Sequence, residues 1–107
     1  MPWVLERATG RARLTLTGLV DVFEAAPLHA MLTELADEAG SIEVDLSGCV
    51  DLDSSALQLL LAFGRAREAG GGRVSFTGAT GRVSRLLARL GLDRLLSVTA
   101  ERGVVPQ

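Results

Sequence analysis

Two adjacent serines, Ser54 and Ser55, are the residues of this chain best placed to do chemistry. They follow an apolar segment that ends at Leu46 and a short loop that ends at Asp53, and they precede a strongly apolar run. A helix that begins here presents a serine hydroxyl at its N-terminus, where free amide groups and the helix dipole favour added negative charge. Such a serine is either an acceptor for a phosphate or an ordinary helix cap.

Capping would satisfy the free amide groups at the start of this helix. Asp53 can cap the helix itself, and Ser55 followed by Gln58 matches the S-x-x-Q capping box. We therefore assign the better cap to Ser55, and this assignment leaves the hydroxyl of Ser54 on the outward-facing side of the helix.

The helix that follows the serines is predicted over Ser54–Ala69, with a core side and an outward side. In a helix each residue advances by about 100° around the axis. This advance places four apolar residues on the core side: Ala56, Leu59, Leu60 and Phe63. Leu57 lies beside them. Five residues fall in a narrow stripe on the opposite side, which we call the outward stripe: Ser54, Gln58, Leu61, Arg65 and Glu68. We interpret this outward stripe, with an apolar residue at its centre, as a surface that binds a partner. Arg67 is expected to point toward the core side, with its charged head reaching water at the helix end.

Strands and helices are predicted to alternate around this helix. The strands are expected at Pro2–Ala8 and Ala12–Thr17, joined by a turn at Thr9–Gly10, and then at Ser41–Leu46, Arg73–Thr77 and Leu95–Ala100. The other helices are expected at Glu24–Glu38, with Leu28, Met31, Leu32 and Leu35 on one side, and from a Thr80 cap to Gly91, with Val83, Leu86, Leu87 and Leu90 facing the core. This order indicates one α/β domain over residues 1–107 with a mixed sheet.

The composition argues against several classes of function. The net charge is −2 and the chain has no lysine, so no overall basic field attracts a nucleic-acid backbone, and aromatic residues are too few to stack bases. Cys49 and His29 are the only residues of their types, which excludes an intrachain disulfide and a His/Cys metal site. With no basic and apolar leader and no apolar run of about 20 residues, we expect a cytoplasmic protein without membrane insertion and without a cofactor.

The run V-D-L-S-G-C-V-D-L-D-S-S-A-L-Q-L-L, from Val44 to Leu60, resembles the STAS domain of anti-sigma factor antagonists. The resemblance extends over most of the chain. The segment at 18–21 is similar to a G-x-L-D turn of that family, and the segments at 71–74 and 83–92 fall where the family has similar runs. It implies a single STAS domain, with a four- to five-stranded mixed sheet packed by about three to four helices, that binds proteins without catalysis.

The resemblance also implies a phosphorylation switch. The family's modified serine directly follows an aspartate and maps onto Ser54, and Asp21 matches an acidic position near it. In the antagonist cycle a serine kinase, which also sequesters a sigma factor, phosphorylates this serine, and a phosphatase resets it. The implied partners are therefore proteins, with no direct contact to nucleic acid, and the expected state is a monomer or weak dimer. We predict a partner surface made of Asp21, Asp53, Ser54, Ser55, Gln58, Leu61 and Arg65.

Two departures from the family pattern leave an alternative open. Ala56 stands where the family has a glycine after the serine pair, and Leu19 and Val20 make the 18–21 turn more apolar than the family pattern. STAS domains also serve in chemotaxis-linked signalling complexes and as small subunits of lipid-transport ABC complexes. In such an assembly the outward stripe would bind its partner without a phospho-switch.

Two further functions are rejected on the residues. A catalytic triad of Ser54, His29 and Asp21 lacks a G-x-S-x-G elbow around either serine, so we predict no catalytic residue. Nucleotide binding is rejected because the chain contains no G-x-x-x-x-G-K-[ST] segment. A basic stripe on the third helix is interpreted as a solvated face, with anion contact as the alternative: Arg82, Arg85 and Arg89.

Overall fold

The computed structural model describes residues 3–38 and 40–89. Its elements in chain order are β1 (Trp3–Ala8), β2 (Arg11–Val20), a 3₁₀ turn (Val22–Glu24), α1 (Ala25–Ala36), β3 (Ser41–Leu52), α2 (Ser54–Ala69), β4 (Arg73–Thr77) and α3 (Gly81–Arg89). The strands form one sheet in the order β1-β2-β3-β4, in which β1 runs antiparallel to β2 and the other pairs are parallel. The predicted α/β class with a mixed sheet is confirmed.

The central strands are longer than the sequence predicts. The prediction ends the second strand at Thr17 and the third at Leu46, followed by a loop, whereas the two strands stay paired as far as Val20 and Leu52. The pairing continues through two shifts of register, which lie between Thr15 and Thr17 and between Gly18 and Leu19. The predicted loop is therefore wrong, because bulges absorb the irregular residues while pairing with the neighbouring strand keeps the backbone extended.

The helix predicted over Glu24–Glu38 is shorter at both ends, since α1 covers Ala25–Ala36 and is preceded by the 3₁₀ turn. Its predicted core side is confirmed, since three of the four predicted residues are buried: Leu28, Leu32 and Leu35. The fourth, Met31, is half-buried and packs against the core. The bounds predicted for α2 and β4 are confirmed at both ends.

The core lies where α1 and α2 pack on each other, where α2 contacts β3 and β4, and where α3 contacts β3. Its buried side chains are mainly aliphatic and include Leu14, Leu16, Val44, Leu46, Leu60, Phe76, Val83 and Leu87. Leu86 is half-buried beside them. The predicted core position of Leu90, the helix end at Gly91 and the strand at Leu95–Ala100 lie outside the described residues. Among the described residues, no helix is both long enough and apolar enough to cross a membrane.

Arg67, near the C-terminus of α2, is buried, so the prediction that its head reaches water is wrong. The side chain is only 3% exposed, and its two terminal nitrogens donate hydrogen bonds to five backbone carbonyls, those of Leu35, Ala36, Glu38, Gly40 and Arg73. The shortest of these are 2.7 Å, to Glu38 and Gly40. One guanidinium therefore joins the end of α2 to the end of α1 and to the starts of β3 and β4.

Candidate functional site

The N-terminus of α2 is capped by Asp53 and not by Ser55. Asp53 has an extended backbone, and its Oδ1 accepts a hydrogen bond of 3.2 Å from the amide of Ala56. Its carbonyl accepts the first helical hydrogen bond, from Leu57 at 2.9 Å. Ser54 and Ser55 are thus the first and second residues of the helix. The assignment of the cap to Ser55 is wrong, because the helix begins two residues earlier than the S-x-x-Q box requires.

Ser54 is exposed at the first position of the helix, and Ser55 beside it is half-buried. The hydroxyl of Ser54 is therefore presented to solvent among the free amide groups of the first turn. A phosphate added at this position would lie against the positive end of the helix dipole, which the fold can accommodate.

Asp21 is brought to the same edge of the sheet as Ser54. Val20 ends β2 opposite Leu52 of β3, and the carbonyl of Val20 accepts a hydrogen bond of 3.0 Å from the amide of Asp53. Asp21 follows directly, and its Oδ1 accepts a hydrogen bond of 3.0 Å from the amide of Phe23, which caps the 3₁₀ turn. The proximity of Asp21 to the serine motif, implied by the family resemblance, agrees with this arrangement.

The outward stripe of α2 is only partly exposed. Gln58 and Arg65 are exposed, whereas Leu61 and Glu68 are half-buried, and Leu61 packs against the core. The prediction of an exposed apolar residue at the centre of the stripe is therefore wrong. α2 lies against α1 and also contacts β3 and β4. Because these neighbours cover more of the helix surface than the predicted core side, part of the outward stripe is buried.

Asp51 carries an ion pair close to the start of α2. The Nε of Arg82, on α3, donates a hydrogen bond of 2.8 Å to its Oδ1. This hydrogen bond holds the pKa of Asp51 below its usual value, and a hydrogen bond from the amide of Leu52 acts in the same direction. All three arginines of the predicted basic stripe are exposed, and Arg82 also pairs with Asp51.

The other chemically capable side chains do not join this site. His29 is exposed on α1, and among the described residues no hydrogen bond links it to Ser54 or Asp21. Cys49 is buried, and burial raises the pKa of its thiol to about 11, so the reactive thiolate is scarce at neutral pH. Within residues 3–38 and 40–89, no three His, Cys, Asp or Glu side chains are grouped to hold a metal ion.

Apolar side chains are also exposed next to the serine motif. From the sequence, only the apolar character of the turn at residues 18–21 was predicted. Four large side chains make up this apolar rim, with exposed fractions of 56%, 54%, 85% and 71%: Leu19, Val22, Phe23 and Val50. Val22 and Phe23 are part of the 3₁₀ turn, while Leu19 and Val50 lie on the paired ends of β2 and β3. The sequence feature that could have indicated this surface is the pair of adjacent apolar residues, Val22 and Phe23, between Asp21 of the turn and the helix that follows.

The family model described as "Mlab, STAS domain" matches residues 3–97. No curated protein sequence matches the chain.

Solved structures share the fold. The structure of the anti-sigma factor antagonist SpoIIAA in its unphosphorylated form is 20% identical, with a TM-score of 0.75 over 95% of this chain and 97% of that chain. The phosphorylated form of SpoIIAA, described as a Bacillus cell fate determinant, is 21% identical, with a TM-score of 0.74 over 87% and 86%. An anti-sigma factor antagonist from Mycobacterium paratuberculosis is 22% identical, with a TM-score of 0.67 over 91% and 92%. The predicted STAS-like domain is confirmed.

Proposed function

Because the chain belongs to the STAS domain family, we propose that it is a non-catalytic regulatory module that binds a protein partner and is switched by phosphorylation of Ser54. The proposed partners are a serine kinase that also acts as an anti-sigma factor, and a phosphatase that resets the serine. The module would act in the cytoplasm as a monomer or weak dimer, without a cofactor and without direct contact to nucleic acid.

The observation that carries this proposal is the open N-terminus of α2. Ser54 is exposed at the first helical position, whereas the cap is supplied by Asp53. The hydroxyl of Ser54 can therefore be modified without removing a cap from the helix. The description of SpoIIAA, which has the same fold, in an unphosphorylated and in a phosphorylated form also supports the proposal.

Charge and size explain how a phosphate would release the partner. A phosphate adds about −1.5 to −2 charges and three acceptor oxygens at neutral pH. It would stand beside Asp53 and on the same edge as Asp21. A partner fitted closely over the serine hydroxyl would have to make room for this dianion and strip its water, which costs binding free energy. Binding would thus be lost while the fold stays intact.

Phosphorylation and binding are tested in the native host. We expect the tagged chain to co-purify with a serine kinase and phosphosite mapping to find phosphate on Ser54. Against the purified kinase, Ser54→Asp should raise Kd by at least about tenfold, or about 1.4 kcal/mol, whereas Ser54→Ala should bind like the unmodified chain. The melting temperature should stay the same in both variants, since Ser54 is exposed.

Thr80→Asp is the matched control, because it adds the same charge at an exposed position directly before another helix, α3. It should leave the affinity for the kinase unchanged. Equal binding by Ser54→Asp and Ser54→Ala would overturn the switch. Arg65→Glu, at an exposed position further along the outward stripe, tests whether the partner surface extends that far along α2.

A subunit role in another assembly is the second candidate. The matching family model carries the name Mlab and no reference to sigma factors, and Ala56 replaces the glycine of the antagonist pattern. In a chemotaxis-linked or lipid-transport complex the same surface would bind constitutively. Co-purification with a transporter ATPase or a chemotaxis-linked signalling protein, together with an unmodified Ser54, would favour this candidate over the sigma-factor cycle.

A further inference from the structure

The face of the sheet that points away from the core carries a row of aligned residues where β2, β3 and β4 begin. Successive residues of a strand point to opposite faces, and the next residues along β2 and β3, Ala12 and Ile42, are buried in the core. Because neighbouring strands lie about 5 Å apart, the two arginines of this row lie about 10 Å apart with a serine between them. We call it the arginine row, and the strand register gives its order as Ala8, Arg11, Ser41 and Arg73.

The neighbouring row on the same face carries opposite charges in alternation. Glu6 lies opposite Arg13 on the adjacent strand, and the Nε of Arg13 lies 3.5 Å from Oε1 of Glu43. The arginine row has no carboxylate, and among the described residues the side chains of Arg11 and Arg73 form no ion pair and no hydrogen bond. Like charges close together on one face of a sheet are unfavourable. The arginine row therefore lacks the anions that the neighbouring row contains.

The surface of the sheet is concave on both sides of Ser41. A cavity of about 330 Å³ is lined by Arg11 and Arg13, and a second of about 380 Å³ is lined by Arg73. Both cavities are also lined by Ser41 and Ser75, which are half-buried. The hydroxyl groups of these serines form no hydrogen bond among the residues that the structure describes. This face therefore brings together space, free hydroxyl groups and free guanidinium donors.

Nearby carboxylates restrict the size of an anion that could bind here. Glu6 and Glu43 line the first cavity, and Glu68 lines the second. An extended acidic chain laid across this face would meet these carboxylates, whereas a compact anion over Ser41 would lie between the two arginines of the row. The carbonyls that end α1, at the same end of the sheet, are already bound by Arg67.

We infer that the arginine row binds a phosphate group over Ser41, with the guanidinium groups of Arg11 and Arg73 on either side. A guanidinium donates paired hydrogen bonds that match the oxygens of a phosphate, and these bonds are stronger than bonds between neutral groups. The hydroxyl of Ser41 donates a further hydrogen bond. Ser41 begins β3, whereas Ser54 follows the other end of that strand. This binding therefore goes beyond the proposed switch and does not depend on it.

Inorganic phosphate and glycerol 3-phosphate are the two probes of this site. We expect both to shift, in a saturable way, the amide signals of residues 11–13, 40–42 and 73–75 in the ¹⁵N-labelled chain. Sodium chloride at the same ionic strength should not shift them, because it screens charges without matching the guanidinium geometry. Tighter binding of glycerol 3-phosphate would identify a phosphomonoester as the ligand, and equal or weaker binding would identify free phosphate. Either result supports the phosphate site.

Single substitutions test the two arginines. Arg11→Gln and Arg73→Gln should each raise the Kd for inorganic phosphate by about tenfold, because a charge-assisted hydrogen bond is lost. Both side chains are exposed, so the melting temperature should stay the same. Arg65→Gln is the matched control, since it removes the same charge from an exposed arginine of α2 that has no ion pair among the described residues. It should leave the Kd unchanged, and so should Ser54→Ala.

Unchanged binding by both Arg11→Gln and Arg73→Gln would overturn the inference, as would an equal loss in Arg65→Gln or equal shifts with sodium chloride. Shifts confined to other residues would overturn it by placing the phosphate elsewhere. These experiments contain no partner protein. Their failure is therefore distinct from failure of the Ser54 switch, which is measured with the purified kinase.

Discussion

The two ends of helix α2 are built in opposite ways. At its N-terminus, Ser54 is exposed and the cap comes from the neighbouring Asp53. At its C-terminus, Arg67 is buried and donates to five carbonyls, which belong to α1, to the connection between α1 and β3, and to β4. The first end is an open surface with a local cap, although its backbone also bonds to Val20 of β2. The second end is a closed junction held mainly by carbonyls distant in sequence.

Along one helix, this difference separates the end that stabilises the fold from the end at which the proposed phosphorylation of Ser54 would act. A change at the open end removes few contacts, so charge can be added there while the core stays packed. A change at the closed end removes a buried side chain and the donor that five carbonyls share, which is costly. A helix anchored at one end can therefore carry a modifiable residue at the other.

The largest expected effect is at the closed end. Arg67→Met should lower the free energy of unfolding by about 3 kcal/mol, because the carbonyls lose their common donor and methionine cannot replace it. Denaturant unfolding monitored by circular dichroism measures this loss. Arg65→Met, two residues away and exposed, should change stability by less than about 0.5 kcal/mol. Equal losses in the two variants would show that the junction does not stabilise the fold.

The glycine turn after α2 should also be sensitive, at one position. A Cβ on Gly72 would lie 2.7 Å from the Cζ of Arg67, so Gly72→Ala must displace the guanidinium and should cost about 1–3 kcal/mol. A Cβ on Gly70 would meet its nearest atom at 3.5 Å, so Gly70→Ala should be nearly neutral. The same unfolding experiment tests both, and a greater loss in Gly70→Ala would contradict the proposed close approach to Arg67.

At the open end the effects should be smaller and local. Asp53→Ala should lower the free energy of unfolding by about 1 kcal/mol, the usual cost of a lost helix cap. Ser55→Ala should cost less than about 0.5 kcal/mol, since Ser55 follows the cap. If Ser55→Ala lowered the free energy of unfolding more than Asp53→Ala, Ser55 would be the cap, as the sequence predicted.

The smallest effect concerns the ion pair beside the open end. Asp51 has a lowered pKa in the folded chain, mainly through the hydrogen bond from Arg82. Its contribution to stability is therefore present at neutral pH and is lost as the pH falls below about 4 and through the lowered pKa. Arg82→Gln should move the pKa of Asp51 back toward its usual value in a carboxyl NMR titration. Arg85→Gln, on the same helix and exposed, should not move it.

The sequence predicted what depends on nearby residues. The bounds of α2 and β4 follow from apolar periodicity and from the polar and glycine residues that flank them. The paired ends of β2 and β3 were not predicted, because Gly18 and Gly48 favour a turn when each strand is considered alone. Pairing at this position keeps the two strands extended, with Gly48 close to Thr17.

For the candidate site, the angular position of Ser54 on an outward side was predicted, and its exposure agrees. The half-buried state of Leu61 was not, because it depends on how neighbouring elements surround α2. The exposure of Phe23 could not be derived from its residue type, since phenylalanine is usually buried. The 3₁₀ turn that holds it outward requires the capping hydrogen bond of Asp21.

The amino-acid order alone was sufficient for the α/β class, for the helix that begins at the serine motif and for the resemblance that singles out Ser54. These features depend on residues within a few positions of one another, where periodicity and capping chemistry act. The burial of Arg67 depended on folding, because four of its carbonyl partners lie between 27 and 32 residues earlier in the chain. A guanidinium near a helix end reaches water when the helix is considered alone, and it becomes a buried donor once distant carbonyls surround it.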